Sequence, residues 1–123
     1  MPVVSRLAGT TIDCPDPGRL AAFYQALTGW EKTYDEAEFA AVEPRGGGPG
    51  LIFQRVESYT APAWPDPARP QQFHLDFVAE GDLDRAEAAA VGLGATLAEH
   101  QPKPERWRVM LDPVGHPFCL CVG

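Results

Sequence analysis

Two pairs of side chains in the C-terminal half of the sequence could do acid–base or metal chemistry. His74 and Asp76 lie two residues apart in a segment that alternates apolar and polar residues, so both should face the same side of a strand. Cys119 and Cys121 have the same spacing near the C-terminus. An imidazole beside a carboxylate can exchange protons near neutral pH, and zinc accepts imidazole and thiolate ligands at tetrahedral geometry.

Each of these residues also has a purely structural interpretation. A strand histidine can hydrogen-bond to a neighbour, and free cysteines are among the most buried residue types, so Cys119 and Cys121 can be small core residues. Two cysteines at this spacing cannot form an ordinary disulfide bond with each other. Because the sequence has three cysteines, an odd number, we expect reduced thiols in a reducing, cytoplasmic compartment.

The N-terminal half contributes a second group of candidate residues. A strand predicted over residues 6–14 places Gly9, Thr11 and Asp13 on one face. Asp13 could act there as a base or attract a cation. A shift of one residue in the register would turn the whole group to the other face, and the same holds for His74.

Two helices must position these strands, and their ends are marked by capping residues. Asp16, which is followed by proline, begins the first helix, and Gly29 ends it. Asp82 begins the second helix, and Gly92 and Gly94 end it. Apolar residues recur at helical spacing between these caps, so both helices should be amphipathic.

Eight strands are predicted around these helices, and each half of the chain has the order strand, helix, strand, strand, strand. The fold class is therefore α+β, with two βαβββ modules. The strands are predicted over residues 6–14, 30–34, 39–43, 51–56, 72–79, 95–98, 107–111 and 117–122.

A single domain is expected, with module one over about residues 5–56 and module two over about residues 72–123. Residues 57–71 are rich in proline and form a linker, in which Trp64 is the best candidate for a wall over a bound ligand. In the strand that follows, Phe73, Leu75 and Phe77 share the face opposite His74 and are expected to pack against the helices.

Composition excludes two classes of partner. The net charge of −7 and pI near 4.8 disfavour nucleic acid, because affinity for phosphates requires clustered Lys and Arg. No apolar run approaches the roughly 20 residues of a membrane helix, and the N-terminal segment lacks a signal-type apolar region. We therefore expect a cytoplasmic protein that binds neither nucleic acid nor membrane.

Two motifs carry a resemblance to a known family. An Asp-Pro-Val-Gly turn at residues 112–115 opens into a final apolar strand, and the first helix reads Asp-Pro-x-x-Leu-x-x-Phe-Tyr over residues 16–24. Together with the module order, they resemble the vicinal oxygen chelate superfamily, which includes glyoxalase I, extradiol dioxygenases and bleomycin- and fosfomycin-resistance proteins. The chain is most similar to short bacterial glyoxalase-like proteins. The resemblance implies modules curled around a central cavity for a small-molecule ligand, and a homodimer.

The resemblance also implies where a metal would be bound. In the metal-dependent members, His, Gln and Glu ligands lie on the first and last strand of each module. The matching positions in this sequence are Gly9 or Ala8, Gln54 or Ile52, His74, and Cys119 in place of the usual glutamate.

This set is degenerate, so no metal is expected, although zinc or another divalent metal could use His74 and Cys119, with Cys121 or His116 as further partners. His116 has an alternative role as a turn residue.

Two hypotheses follow. The first is a small-molecule-binding protein that sequesters or senses an aromatic or cationic compound. The second is a lyase, isomerase or dioxygenase-like enzyme that uses His74 with an altered metal, or with a carboxylate base. The ligand-binding candidates are Thr11, Asp13, Gln54, Trp64, His74 and Cys119, and the catalytic candidates are His74 and Asp76.

Overall fold

The computed structural model describes residues 7–71 and 73–122, and the chain divides into two units between Tyr59 and Thr60. Each unit has one helix and one four-stranded mixed sheet. The first unit contains β1 (Gly9–Cys14), α1 (Pro17–Thr28), β2 (Glu31–Asp35), β3 (Phe39–Glu43) and β4 (Gly50–Arg55). The second unit contains β5 (Leu75–Val78), α2 (Leu83–Leu93), β6 (Thr96–Leu97), β7 (Trp107–Leu111) and β8 (Pro117–Cys121).

The two sheets have the same topology. Their strand orders are β1-β4-β3-β2 and β5-β8-β7-β6. In each sheet the first strand pairs in parallel with the last strand of its unit, and the remaining pairs are antiparallel. The predicted α+β class and the two βαβββ modules are therefore confirmed.

The capping residues act as predicted, with one correction. Asp16 and Asp82 precede the two helices, and each side chain accepts a hydrogen bond from the backbone N–H three residues later. Gly29 and Gly94 end the helices in the left-handed region, with φ of 75° and 118°. Gly92 was expected to share in ending α2, but the helix continues through it to Leu93, because the left-handed turn comes only at Gly94.

Each helix covers one face of its own sheet. In the first unit Tyr24 of α1 stacks on Phe53 of β4, with ring centroids 5.5 Å apart. In the second unit Leu83 and Ala90 of α2 are buried, and Phe118 lies in the core beneath the helix. The opposite face of the second sheet is thereby left for other contacts, and the candidate site lies there.

The fifth strand is shorter than predicted. Its pairing with β8 begins at Leu75, so Phe73 and His74 precede the strand. Phe73 was expected to pack against the helices, but it is 80% exposed, because no pairing with β8 holds it in the strand register. Phe77 does face the core and contacts Phe118 edge to face at 5.9 Å. The first residue of this predicted strand, at position 72, and that of the first strand, at position 6, lie outside the described residues.

The described helices are all too short or too polar to cross a lipid bilayer.

Arg108 of β7 is the main polar link between the second sheet and its helix. Its guanidinium donates to Glu87 at 2.7 Å, to Asp84 at 3.0 Å and to the Pro104 carbonyl at 2.6 Å, and its side chain is only 18% exposed. One side chain therefore joins β7, α2 and the turn before β7.

We expect Arg108→Ala to lower the free energy of unfolding by about 1–2 kcal/mol, because it removes charge-assisted hydrogen bonds from a largely buried position. Urea denaturation followed by circular dichroism measures this change. Arg106→Ala, at an exposed position in the preceding turn, is the control and should change stability by less than about 0.5 kcal/mol. Equal effects of the two substitutions would contradict the assigned role of Arg108.

Candidate functional site

The strand pairing of the second sheet places the predicted polar residues in rows. Asp76 of β5 lies beside Cys119 of β8, which in turn lies beside Val109 of β7. Cys121 lies beside Trp107 in the next row. Because paired residues point to the same face, these side chains share the face that α2 leaves open.

A cavity of about 370 Å³ lies over this face, entirely within the second unit. A volume of this size suits a small organic ligand. The cavity has apolar walls and one polar end, where His74 and Asp76 stand. Its lining residues are Trp64, Trp107, Val109, Pro102, Pro117, His74, Asp76, Cys119 and Cys121.

Trp64 is held at the cavity by a loop that closes on itself. The Ala63 N–H donates to the Arg69 carbonyl at 2.9 Å, and the Asp66 carboxylate accepts from the Ala68 N–H at 2.8 Å. Trp64 packs against the buried cluster that contains Val109 and Cys119. The segment predicted as a linker therefore supplies one wall of the cavity from within the second unit.

Gln101 fixes the neighbouring wall, and no sequence motif marks this residue. Its side-chain amide donates to the carbonyls of Ala98 and Val109, at 2.8 and 2.7 Å, and its carbonyl oxygen accepts from the Val109 N–H at 2.9 Å. The side chain thus pairs with β7 as a strand backbone would. This pairing holds the segment that carries Pro102 against the sheet. The short β6 pairs only with Met110 and Leu111 of β7, so the N–H of the neighbouring Val109 is left for a side chain, and the sequence does not reveal where that pairing ends.

Three of the candidate residues meet at the polar end. The His74 Nε2 lies 3.2 Å from the Asp76 Oδ1, and their side chains are 50% and 64% exposed. Cys119 lies beneath them and is only 6% exposed. One ligand atom from each residue lies within 4.8 Å of the other two. His74 and Asp76 can therefore rotate, whereas the thiol is fixed by the strand.

The Cys119 thiol is kept protonated by its surroundings. Burial, together with the charge of Asp76, the neighbouring Cys121 and a hydrogen bond to Asp76, raises its pKa from the ordinary 9.0 to about 12. Burial and Asp76 also raise the pKa of Cys121. A thiol needs a lowered pKa to act as a nucleophile, so this environment disfavours cysteine catalysis.

The first-unit candidates lie on the corresponding face of the other sheet. Thr11 and Asp13 are exposed, on the face of β1 opposite the buried Ile12 and Cys14. Gln54 pairs with Asp13 across the parallel β1–β4 ladder and is also exposed. Thr11 and Asp13 share one face of β1, as the predicted register requires. The role of these residues in binding stays a prediction.

Position 9 has no room for a side chain. A Cβ added to Gly9 would come 2.7 Å from the Gly50 carbonyl oxygen, because the two backbones approach closely where β1 pairs with β4. A metal ligand at this position would require the strands to separate.

His116 is part of the turn before β8. The Asp112 carboxylate accepts from the backbone N–H groups of Val114 and His116 at 2.9 and 3.0 Å, which closes the turn. The His116 Nδ1 lies 3.2 Å from the Gln71 side-chain oxygen. This placement favours the turn interpretation of His116 over a role as a zinc ligand.

The donors at the polar end fit some metals and not others. Imidazole, carboxylate and thiolate together are a set that zinc accepts. Ions such as Mg²⁺ and Mn²⁺ prefer sites built from oxygen ligands, and this set offers only one carboxylate.

Comparison with known proteins decides the family. The model of the glyoxalase-like domain matches residues 9–121, which is nearly the whole chain. The chain belongs to the glyoxalase-like domain family. A search among functionally curated proteins found no significant match for this glyoxalase-like domain.

Solved structures share its fold and lie in the vicinal oxygen chelate superfamily. A glyoxalase/bleomycin resistance protein/dioxygenase family enzyme from Burkholderia phytofirmans is 22% identical, with a TM-score of 0.71 over 94% of this chain and 97% of that one. A variant of the fosfomycin resistance protein FosX from Listeria monocytogenes, complexed with Mn(II) and 1S,2S-dihydroxypropylphosphonic acid, is 18% identical, with a TM-score of 0.72 over 98% and 92% of the two chains. A glyoxalase-related enzyme from Fulvimarina pelagi is 17% identical, with a TM-score of 0.70 over 98% and 89%. At these identities the likeness establishes the fold.

Asp76→Asn should lower the pKa of the Cys119 thiol, because it removes the carboxylate charge while the burial remains. Each unit by which the pKa falls raises the thiolate fraction about tenfold, so iodoacetamide should alkylate Cys119 faster at pH 9. Mass spectrometry of the Cys119 peptide over time measures the rate. Asp84→Asn, on α2 across the sheet, is the control and should leave that rate unchanged. An unchanged rate in Asp76→Asn would show that the carboxylate does not act on the thiol.

Proposed function

We propose that this glyoxalase-like domain binds an aromatic small molecule, neutral or cationic, in the cavity of its second unit, and thereby sequesters or senses it. The observation that carries the proposal is the cavity itself, in which Trp64 and Trp107 line apolar walls and Asp76 stands at the polar end. A few polar groups among apolar walls are typical of sites for small organic ligands.

The walls favour a flat aromatic ligand. Trp64 and Trp107 offer large rings with little conformational entropy to lose, and Pro102, Pro117 and Val109 add apolar surface. The closed loop around Trp64 supports a wall that is in place before the ligand arrives. A preorganised wall lowers the entropic cost of binding.

The charge in the cavity favours a cation over an anion. Asp76 carries a carboxylate, and none of the described residues that line the cavity is lysine or arginine. Arg108, between the lining residues Trp107 and Val109, points to the other face and pairs with Glu87 and Asp84 of α2. A phosphonate such as the ligand of the FosX complex would meet no positive side chain here.

The proposal extends to assembly and location. Many members of the superfamily form dimers, which supports a homodimer here. Light scattering on the untagged chain measures the oligomeric state directly. Three free cysteines, two of them buried, suit a reducing compartment such as the cytoplasm.

A second function, that of a lyase, isomerase or dioxygenase-like enzyme, is favoured by the 3.2 Å approach of the His74 Nε2 to the Asp76 Oδ1. A carboxylate that orients an imidazole is a common acid–base arrangement, and the same side chains could hold a divalent metal. The first step of an isomerase of this kind is removal of a proton next to a carbonyl group.

Binding of a flat aromatic cation tests the first function. We expect 9-aminoacridine to quench tryptophan fluorescence with a measurable dissociation constant, and Trp64→Ala or Asp76→Asn to weaken binding about tenfold each, since the substitutions remove ring contact and charge respectively. Anthracene-2-carboxylate, a flat anion of similar size, should bind at least about tenfold more weakly. Trp30→Phe, which lies outside the cavity, is the matched control and should leave both constants unchanged. Equal affinity for the anion and the cation would contradict the assigned charge preference.

Proton exchange tests the second function. If His74 removes a proton next to a carbonyl group, the protein should speed deuterium uptake from D₂O into the CH₂ group of 2-hydroxyacetophenone, as followed by proton NMR. His74→Ala should abolish the acceleration, whereas His100→Gln, at an exposed histidine that contacts the Trp64 ring edge to face but does not itself line the cavity, should preserve it. Acceleration that survives His74→Ala would exclude this histidine as the base.

A further inference from the structure

We propose that His74, Asp76 and Cys119 bind one zinc ion at the polar end of the cavity, and that zinc there competes with a cationic ligand for Asp76. The competition rests on the proposed function, but the ion site does not. If the cavity takes no aromatic ligand, the three donors still stand together.

The distances between the donors are close to those of a zinc site. The His74 Nε2 and the Asp76 Oδ1 are 3.2 Å apart, and no pair within the three exceeds 4.8 Å. Ligands of a tetrahedral zinc, at bond lengths of about 2.0–2.3 Å, lie roughly 3.3–3.8 Å from one another. The remaining approach of about 1 Å is available from rotation of the half-exposed His74 and Asp76 side chains.

The backbone supports two of the three ligands rigidly. Asp76 and Cys119 are neighbours in the parallel β5–β8 ladder, and Cys119 is buried among Ala98 and Val109. His74 lies one residue before β5, where its ring can adjust to an ion. Strand pairing fixes the backbone of two ligands and burial fixes the thiol, so only the His74 and Asp76 side chains need to rotate to close the site on a metal.

The chemistry of the donors selects zinc. One carboxylate and one thiolate balance the charge of a divalent ion, and a neutral imidazole completes three protein ligands. When the Cys–S–Zn bond forms, the thiol proton leaves to solvent. The cavity lies on the open side of the three donors, so the fourth position faces a volume that water or a ligand atom can enter.

This ligand set shares His74 and Cys119 with the one that the family resemblance implies and differs in its third ligand. That set draws on both modules and includes position 9, where an added Cβ would come 2.7 Å from the Gly50 carbonyl. The proposed set lies wholly within the second unit. Asp76, two residues beyond His74, takes a role that the resemblance assigns to no residue.

Direct binding of the ion tests the proposal. Untagged full-length protein is stripped with a chelator, and zinc affinity and stoichiometry are measured by competition with a chromophoric indicator. We expect one zinc per chain, and a loss of affinity of at least about tenfold in each of His74→Ala, Asp76→Asn and Cys119→Ser. Cys121→Ser is the matched control, because Cys121 lies on the same strand and face, and it should retain the wild-type affinity. No zinc at one per chain, or a loss in Cys121→Ser as large as in Cys119→Ser, would overturn the assigned ligands.

Cobalt substitution keeps the test valid if a variant folds poorly. Co²⁺ in the wild-type protein should show a sulfur-to-cobalt charge-transfer band, which Asp76→Asn and Cys121→Ser should retain and Cys119→Ser should lose. A cobalt complex without that band in the wild-type protein would overturn thiolate ligation. Far-ultraviolet circular dichroism confirms the fold of each variant.

Competition separates this proposal from the proposed function. Zinc should displace 9-aminoacridine from the wild-type protein and should leave the affinity for neutral acridine unchanged. If zinc binds but neither 9-aminoacridine nor acridine does, the proposed function is contradicted and the ion site stands. If either acridine binds but zinc does not, the ion site is contradicted and the proposed function stands.

Discussion

The parallel pairing of β5 with β8 is the interaction on which the candidate site depends. It sets Asp76 beside Cys119 and leaves both on the face that α2 does not cover. The pairing begins only at Leu75, and His74 consequently lies outside the strand with its half-exposed ring 3.2 Å from the Asp76 carboxylate. A different register would turn Asp76 toward the helix and separate the donors.

The burial of Cys119 beside a carboxylate determines what the site can do without a metal. Burial and the charge of Asp76 both stabilise the protonated thiol, so its pKa rises to about 12. An imidazole normally activates a thiol by taking its proton, but here the Asp76 carboxylate contacts the imidazole and also hydrogen-bonds to the thiol. The arrangement suits a binding site, or a metal site in which an ion replaces the thiol proton, better than a cysteine nucleophile.

The two modules share a topology and have diverged in side chains. In the first sheet the close approach of Gly9 to Gly50 leaves no space for a ligand residue, and Asp13 and Gln54 lie exposed on the corresponding face. In the second sheet the equivalent face carries the cavity and its polar end. The segment around Trp64 and the Gln101 side chain complete the walls there, each through hydrogen bonds made within the second unit.

The sequence by itself determined the module order and the helix starts at Asp16 and Asp82, because capping and periodicity are local properties. Alternation likewise placed Asp76 on the face opposite Phe77. The exposure of Phe73, the inclusion of Gly92 in α2, and the pairing of the Gln101 side chain with β7 were decided only by the tertiary structure. Where strand pairing starts, and which backbone groups of β7 remain for a side chain, are settled by contacts that local patterns do not encode. Gly92 and Gly94 carry the same local signal for a helix end, and only the folded chain shows that the left-handed turn falls at Gly94.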